Sequence, residues 1–329
     1  MIPIIPRIAR GLAAALIGVA ANAAIAISAN AADYPAKPIT FVVPFGAGSA
    51  TDLLARALSS SVAQQAGQPV IVENRAGASG MIAAQHAARA SADGYTVLVT
   101  TNTTQAANPH LYKKLPYDPV ADFVPVSGLG RGGQVLVVRA SAPFRTVGEL
   151  VDAAKKTPGK LSFGSGNSSS RMAGEMLKQL TGTDIVWVGY NSNPNALNDL
   201  LGGHIDMMVI DTVTGLAHIE AGKLRPLGAS TTERLPQLPQ VPTLDEAGIK
   251  GYDMGYWFAA YVPAGTPAPV AAKLRQWLVA AVASEGAQAF FKNSATQAWT
   301  PGAEELGAFQ KAEIEKWGRV VKAAGIVPE

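Results

Sequence analysis

Two glycine- and serine-rich segments have the residue types of anion-binding turns. The first, residues 44–52, directly follows the apolar run Ile39–Val43, and the second, residues 164–171, follows a short run at residues 160–163. A turn that leads from a strand into a helix exposes backbone N–H groups, and these groups bind anions. One such turn in each half of the chain predicts a cleft for a small anion; the alternative is a pair of plain strand–helix turns.

Side chains in and near these turns offer hydrogen-bond donors for a carboxylate. A polar segment follows the carboxyl end of a predicted strand, where ligands of open α/β sheets bind, and at least one of its residues is expected to contact the ligand: Thr101, Asn102, Thr103 and Thr104. Arg171 either grips a carboxylate through two parallel hydrogen bonds or faces solvent. The candidate ligand-binding residues are Phe45, Gly46, Ala47, Ser49, Thr101, Thr103, Ser165, Asn167, Ser169, Ser170, Arg171, Tyr190, Asp211 and Trp257.

Some acidic and aromatic residues have two interpretations. Asp211 ends an apolar run and either binds an ammonium or hydroxyl group of the ligand or caps a helix. Tyr190 and Trp257 are placed against an apolar part of the ligand, with core packing an equal alternative for Trp257. Asp52 is predicted to be structural, because Ser49 and Asp52 have the spacing of a capping box.

The same residues do not fit an enzyme or a nucleotide site. The serines lie in no G-x-S-x-G motif, and no histidine stands in a recognisable base position. The segment from Gly46 to Gly48 lacks the third glycine of a dinucleotide turn, and neither turn matches a P-loop. The four histidines are scattered without metal-ligand spacing. We therefore expect a binding protein that is not an enzyme and uses no cofactor.

The first 31 residues have the pattern of a secretory signal peptide. Arg7 and Arg10 precede an apolar stretch at residues 11–28, and residues 29–31 form a small-residue cleavage site. A membrane anchor is the alternative, since the stretch approaches spanning length. Small residues dominate it and a globular pattern follows at once, so a cleaved leader and a periplasmic location are predicted.

Composition restricts the partners of the exported chain. The net charge of +3 falls to +1 without the two leader arginines, and no basic block marks a nucleic-acid surface. The chain has no cysteine, so its stability in an oxidising compartment depends on a buried core. We expect a monomer that binds no nucleic acid.

Strand and helix patterns alternate along the chain and predict an α/β protein of two domains. Repeated βαβ order implies parallel sheets with helices on both faces. Two crossing segments are placed near residues 129–134 and 251–256. Predicted domain 1 therefore comprises residues 32–131 and 255–329, and predicted domain 2 comprises residues 132–254.

An ordered series of short motifs resembles the periplasmic solute-binding proteins of tripartite tricarboxylate transport systems, the Bordetella uptake gene type. Each motif alone is weak, but their order over nearly the whole mature chain is specific. The matching stretches are residues 34–39, 43–48, 72–80, 93–95, 108–109, 115–119, 122–123, 199–203, 219–225, 239–243, 246–248 and 263–267, with Asp52 and Trp257.

The resemblance implies a two-domain flytrap of the type II periplasmic fold that captures small carboxylates for a membrane permease. Backbone amides, hydroxyls and bridging waters from the two turns would hold the carboxylates. A sensor that presents its ligand to a membrane signalling partner remains the alternative function.

This chain departs from the family pattern at three places near the predicted cleft. Ser49 stands where another glycine is usual, Arg171 where a histidine is common, and residues 191–193 replace a Lys-Gly-Gly-like segment. Aromatic acids, aliphatic dicarboxylates, citrate-like acids and acidic amino acids all fit the donors. Because the turns contain almost no lysine and Arg171 is present, a mono- or dicarboxylate is favoured.

Overall fold

The computed structural model describes residues 34–323 and 325–328, so the predicted leader lies outside the described residues. The strands are β1 (Ile39–Val43), β2 (Val70–Asn74), β3 (Thr96–Thr101), β4 (Phe123–Arg139), β5 (Ser162–Ser165), β6 (Val186–Gly189), β7 (Met207–Asp211), β8 (Leu224–Ala229), β9 (Gly255–Pro263) and β10 (Thr296–Ala298). The helices are α1 (Ala50–Ala66), α2 (Met81–Ala88), α3 (Asn108–Leu111), α4 (Val147–Lys156), α5 (Ser168–Thr181), α6 (Asn193–Gly202), α7 (Thr212–Glu220), α8 (Ala268–Val282), α9 (Glu285–Asn293) and α10 (Ala303–Ala323). A 3₁₀ turn at Ala78–Gly80 precedes α2, and a π-helical turn at Thr103–Ala107 precedes α3.

The strands form two groups that share β4. In the first group β1 pairs in parallel with β2 and β3, and β9 then runs antiparallel to β3 and β4. In the second group β5 pairs in parallel with β6 and β7, and β4 runs antiparallel to β7 and β8. We call the first group with its helices the first lobe and the second group with its helices the second lobe.

Strand β4 changes partners at Gly133 and Gln134. Gly133 pairs with Gly255 of β9, whereas Gln134 pairs with Asp211 of β7. This exchange lies at the predicted first crossing, but the strand begins at Phe123 and carries the chain through both lobes. The predicted domain boundaries remain a prediction. The expectation of purely parallel sheets is wrong, because β4 and β9 run antiparallel to their neighbours.

Apolar side chains cover both faces of β1, as its continuous apolar pattern requires. Ile39, Phe41 and Val43 pack in one cluster with α1 and α8, and Val42 packs in another cluster on the opposite face. The second cluster also contains Leu136 and Phe163 of the second lobe. Burial on both faces holds the carboxyl end of β1, and with it the first turn, in a fixed position.

None of the helices in the described part of the chain combines the length and the apolarity needed to cross a bilayer.

Candidate functional site

The two predicted turns line two adjoining cavities between the lobes. The first cavity contains about 420 Å³ of space between atoms and the second about 390 Å³, both including space open to solvent. Phe45, Gly166 and Asn167 line both. The other residues of the first cavity are Ser49, Ala50, Thr51, Thr101, Asn102, Gln134, Ser169, Ser192, Asn193, Asp211, Tyr256 and Phe258. The other residues of the second cavity are Gly77, Ala78, Ser79, Gly80, Ser165, Ser168, Arg171, Trp187, Tyr190 and Asn191.

The first turn is built as the capping pattern predicted. Ser49 is the N-cap of α1, and its Oγ accepts a hydrogen bond from the Asp52 N–H at 3.4 Å. The Asp52 carboxylate reaches back, but it accepts from the N–H of Gly48 at 2.9 Å rather than from that of Ser49. Asp52 is therefore structural, and the residues of the first turn that line the first cavity are Phe45, Ser49, Ala50 and Thr51.

Asp52 is a buried carboxylate held by several donors. Its Oδ1 accepts from Arg56 Nε at 3.0 Å and from Asn74 Nδ2 at 2.9 Å. Burial alone raises the pKa of the carboxyl, but the hydrogen bonds from Arg56, Gly48 and Asn74 outweigh it and lower the pKa of Asp52 below its ordinary value. The carboxylate is thus charged at neutral pH and fastens the first turn to β2.

The second turn ends in a capped helix that starts earlier than predicted. Asn167 is the N-cap of α5, and its Oδ1 accepts from the Ser170 N–H at 2.8 Å. The sequence pattern placed the helix start at Met172, but the cap places Ser168–Ser170 in the first turn of the helix. Their backbone N–H groups are therefore at the positive end of the helix dipole.

Two serines of this first turn of α5 form hydrogen bonds to the first lobe. Ser168 Oγ donates to Asn108 Oδ1 at 2.9 Å, and Asn102 Nδ2 donates to Ser169 Oγ at 3.3 Å. All four side chains are buried. The lobes are therefore joined at the site by direct polar contacts.

Asn193 connects the second turn to the strand behind it. Its Oδ1 accepts from the Gly166 N–H at 2.8 Å, which leaves Nδ2 to donate to Asp211 Oδ2 at 2.7 Å and Ser170 Oγ at 3.0 Å. Gly166 lies so close that a Cβ there would overlap the backbone of Ser192 and Asn193. Only glycine fits this approach.

Asp211 caps a helix and also lines the first cavity, so its predicted contact with the ligand stays a prediction. It is the N-cap of α7, and its Oδ1 accepts from both the N–H and the Oγ1 of Thr214 at 2.8 Å. Its Oδ2 accepts from Asn193. Both carboxylate oxygens of Asp211 therefore have hydrogen-bond partners at the edge of the first cavity.

The second cavity contains the cationic and aromatic candidates. The Arg171 guanidinium carbon lies 3.8 Å from the ring centroid of Trp187, and Trp187 Nε1 donates to Ser165 Oγ at 2.8 Å. Tyr190 donates through its hydroxyl to Asp199 Oδ2 at 2.7 Å. Desolvation and the neighbouring Asp199 carboxylate raise the pKa of Tyr190 to about 12, so this phenol stays protonated.

The structure brings most predicted site residues to these cavities and leaves some aside. Thr103 and Ser170 are fully buried behind the lining. Gly46 and Ala47 belong to the outer part of the first turn, where Ala47 is exposed. None of these four lines either cavity.

Trp257 lies away from both cavities and packs in the core, which was one of its two predicted positions. Successive residues of a strand point to opposite faces, and in β9 Tyr256 and Phe258 line the first cavity. Trp257 therefore faces the other side, where its Nε1 donates to Glu313 Oε2 at 3.1 Å. The aromatic wall of the cavity is built by its two neighbours.

Sequence reasoning missed Gln134 and the turn at Ala78–Gly80. Gln134 lines the first cavity as a buried amide beside Asn102, which lies in the polar segment predicted after β3. The turn at Ala78–Gly80 lines the second, and Ser79 has a left-handed backbone with φ of 50°. That turn lies within residues 72–80, one of the stretches that resemble the family, so the resemblance could have pointed to it. No sequence pattern pointed to Gln134, because its position in the cavity wall depends on where β4 exchanges one partner strand for another.

The charge of the first cavity is unusual for an anion site. Its described lining contains no lysine or arginine. Across residues 34–323 and 325–328, no group of three or more histidine, aspartate or glutamate side chains is arranged to hold a metal ion. The first cavity therefore offers an anion neutral hydrogen-bond donors at two helix N-termini rather than cationic side chains.

Known proteins share both the sequence pattern and the fold. The family described as "Tripartite tricarboxylate transporter family receptor" matches residues 54–326. The chain is similar to the structure of R. palustris Rpa4515 with adipate, at 33% identity and a TM-score of 0.87 over 90% of this chain and 100% of that chain. It is similar to the periplasmic binding protein BugD at 33% identity and a TM-score of 0.86, with coverage of 90% and 100%. MatC from Rhodopseudomonas palustris with bound malate follows at 31% identity and a TM-score of 0.82, with coverage of 88% and 100%.

These similarities confirm the resemblance read from the motifs and the predicted fold class. The family and the fold are those of solute-binding proteins rather than of enzymes. The chain belongs to the tripartite tricarboxylate transporter family of receptors, whose members are periplasmic binding proteins.

Proposed function

We propose that this protein captures a small mono- or dicarboxylate between its two lobes and delivers it to membrane permease subunits of a tripartite tricarboxylate transporter. In this proposal residues 1–31 are removed on export, and the mature chain acts as a periplasmic monomer. The observation that carries it is the meeting of two capped helix N-termini, those of α1 and α5, around one cavity. In this proposal the two domains that close on the ligand are residues 32–131 with 255–329 and residues 132–254.

The division of charge between the cavities supports a ligand with one or two carboxylates. Backbone N–H groups and hydroxyls of the first cavity, such as Ser49 and Ser169, would hold one carboxylate. Arg171 in the second cavity would face a second carboxylate or the outer end of a longer ligand. The neighbours solved with adipate and malate hold dicarboxylates of this size class.

The contacts between the lobes support a closing motion. The Ser168–Asn108 and Asn102–Ser169 hydrogen bonds would form last, after the ligand has bound to one lobe. The partner exchange of β4 at Gly133 and Gln134 and the start of β9 at Gly255 would be the hinge.

A thermal-shift screen tests the proposal. The chain from Ala32 to Glu329, freed of co-purified ligand, is melted with and without succinate, malate, glutarate, adipate, benzoate, glutamate and citrate. A ligand at about 100 times its Kd stabilises the fold by about 2.7 kcal/mol, which raises the Tm of a chain of this size by about 4–5 °C. At least one mono- or dicarboxylate is expected to do so. A panel without any shift contradicts the proposal, and loss of labelled-ligand uptake in a deletion strain separates transport from sensing.

Replacement of Arg171 tests its place in the site. We expect Arg171→Ala to weaken the binding of the best dicarboxylate about tenfold by calorimetry, because a charge-assisted contact is lost. A monocarboxylate that fills only the first cavity should bind with nearly unchanged affinity. Unchanged affinity for every ligand would remove Arg171 from the site.

A further inference from the structure

Asn102 is a buried amide in the wall of the first cavity with one polar atom left over. It follows β3 and has no exposed surface. Its Nδ2 donates to the backbone oxygen of Gly255 and to Ser169 Oγ, both at 3.3 Å. Because a carbonyl oxygen only accepts, the Gly255 contact fixes which end of the amide is nitrogen. The Oδ1 atom is buried and has no hydrogen-bond partner among the described residues.

Gln134 supplies a second amide beside the first. Its neighbour Gly133 pairs with Gly255, the residue that Asn102 contacts. Gln134 Nε2 donates to Ser170 Oγ at 3.2 Å, and its Oε1 has no partner among the described residues. Since the Ser170 hydroxyl can donate as well as accept, Gln134 can present either end of its amide to the cavity. The Asn102 amide cannot turn in this way, so a ligand group that faces its Oδ1 atom must be a hydrogen-bond donor.

A buried acceptor without a donor is costly, and a carboxylate cannot relieve that cost. Both oxygens of an ionised carboxylate accept, so neither bonds to Asn102 Oδ1. A ligand ammonium would also donate to Asn102 Oδ1, but it has no lone pair with which to accept a hydrogen bond from the Gln134 amide. A hydroxyl group donates its hydrogen to Asn102 and can accept from the adaptable Gln134 amide.

We propose that the ligand is a hydroxy acid, a small mono- or dicarboxylate that carries a hydroxyl group, and that Asn102 Oδ1 accepts the hydrogen bond from this hydroxyl. The inference rests on the proposed function, because the carboxylate must occupy the same cavity. It makes Asn102 the residue that distinguishes hydroxylated from unsubstituted acids.

Matched ligand pairs test this inference on the unaltered mature chain. Calorimetry compares succinate with each enantiomer of malate, glutarate with 2-hydroxyglutarate, adipate with 2-hydroxyadipate, and propionate with lactate. In at least one pair the hydroxylated acid should bind about tenfold tighter or more. Equal or tighter binding of the unsubstituted acid in every pair overturns the inference and leaves the proposed function standing. Binding of no carboxylate at all contradicts both.

A variant pair then tests the role of Asn102 itself. In Asn102→Ala the affinity ratio between the preferred hydroxy acid and its unsubstituted partner should collapse toward one. Asn108→Ala is the matched control, because Asn108 is an equally buried amide at the lobe contact that lines neither cavity. It should weaken both acids alike and keep the ratio. A ratio that survives Asn102→Ala refutes the assignment, and the ligand pairs on the unaltered chain decide the hydroxyl question even where a variant fails to fold.

Discussion

At the scale of single residues, the site is built by close packing of backbone segments and by helix caps more than by charged side chains. Gly166 touches backbone where no side chain fits, Asp52 fastens the first turn, and Asp211 caps α7. The sequence indicated the caps, because Ser, Asn and Asp before a helical pattern are recognisable. It could not indicate Gly166, since the chain that approaches it lies 26 residues away, at Ser192.

Alanine at Gly166 should destabilise the second lobe. The added Cβ would overlap the backbone at Ser192, and shifting that loop costs about 1–3 kcal/mol or more. Urea unfolding of Gly166→Ala measures the loss. Gly46→Ala is the control, because a Cβ there meets nothing within 4 Å, and it should unfold like the unaltered chain. Equal stability of the two variants would show that the approach at Gly166 is not tight.

The Asp52 carboxylate predicts an acid-dependent part of the stability. Its pKa is lower in the folded chain than its ordinary value near 3.9, so the unfolded chain binds the proton more readily. The stabilisation is therefore complete well above pH 4 and is lost as the pH falls through the folded pKa. The difference in unfolding free energy between the unaltered chain and Asp52→Asn should be full at pH 7 and shrink below about pH 4. A difference that stays constant down to pH 3 would contradict this.

At the scale of elements, the strands and capped helices of each lobe were predictable and the connections between them were not. Ile39–Val43 is predicted and observed with the same bounds, because its continuous apolar run is typical of a buried strand. Strand β4 was missed before Gln134, since glycines at positions 128, 130, 132 and 133 interrupt its pattern. The π-helical turn at Thr103–Ala107 has no sequence signature.

The cap of α5 connects helix stability with binding. Asn167→Ala should cost about 1 kcal/mol of unfolding free energy through the lost cap and should also weaken carboxylate binding, because Asn167 lines both cavities. Ser284→Ala removes the comparable cap of α9, and Ser284 lines neither cavity. It should lose similar stability and keep the affinity. Urea unfolding measures the stability of both variants, and calorimetry measures their affinity for the carboxylate. Equal affinity in the two variants would show that Asn167 caps α5 but does not contribute to binding.

At the scale of the whole molecule, two groups of strands share one continuous strand and meet around the site. Their shared strand β4 pairs with β9 up to Gly133 and with β7 from Gln134 onward. The repeated βαβ pattern predicted the α/β class and the two turns. The interlobe bonds of Ser168 and Ser169 could not be predicted, because they depend on how the lobes pack.

Small-angle X-ray scattering of the mature chain, with and without its best-binding carboxylate, tests the central claim most directly. If the two turns close on the ligand from separate lobes, the radius of gyration should fall when a saturating amount of that acid is added. Asn108→Ala, which removes one interlobe hydrogen bond, should require more ligand to reach the same compact state. A radius of gyration that does not change when binding is saturated would contradict capture by closure of the cleft.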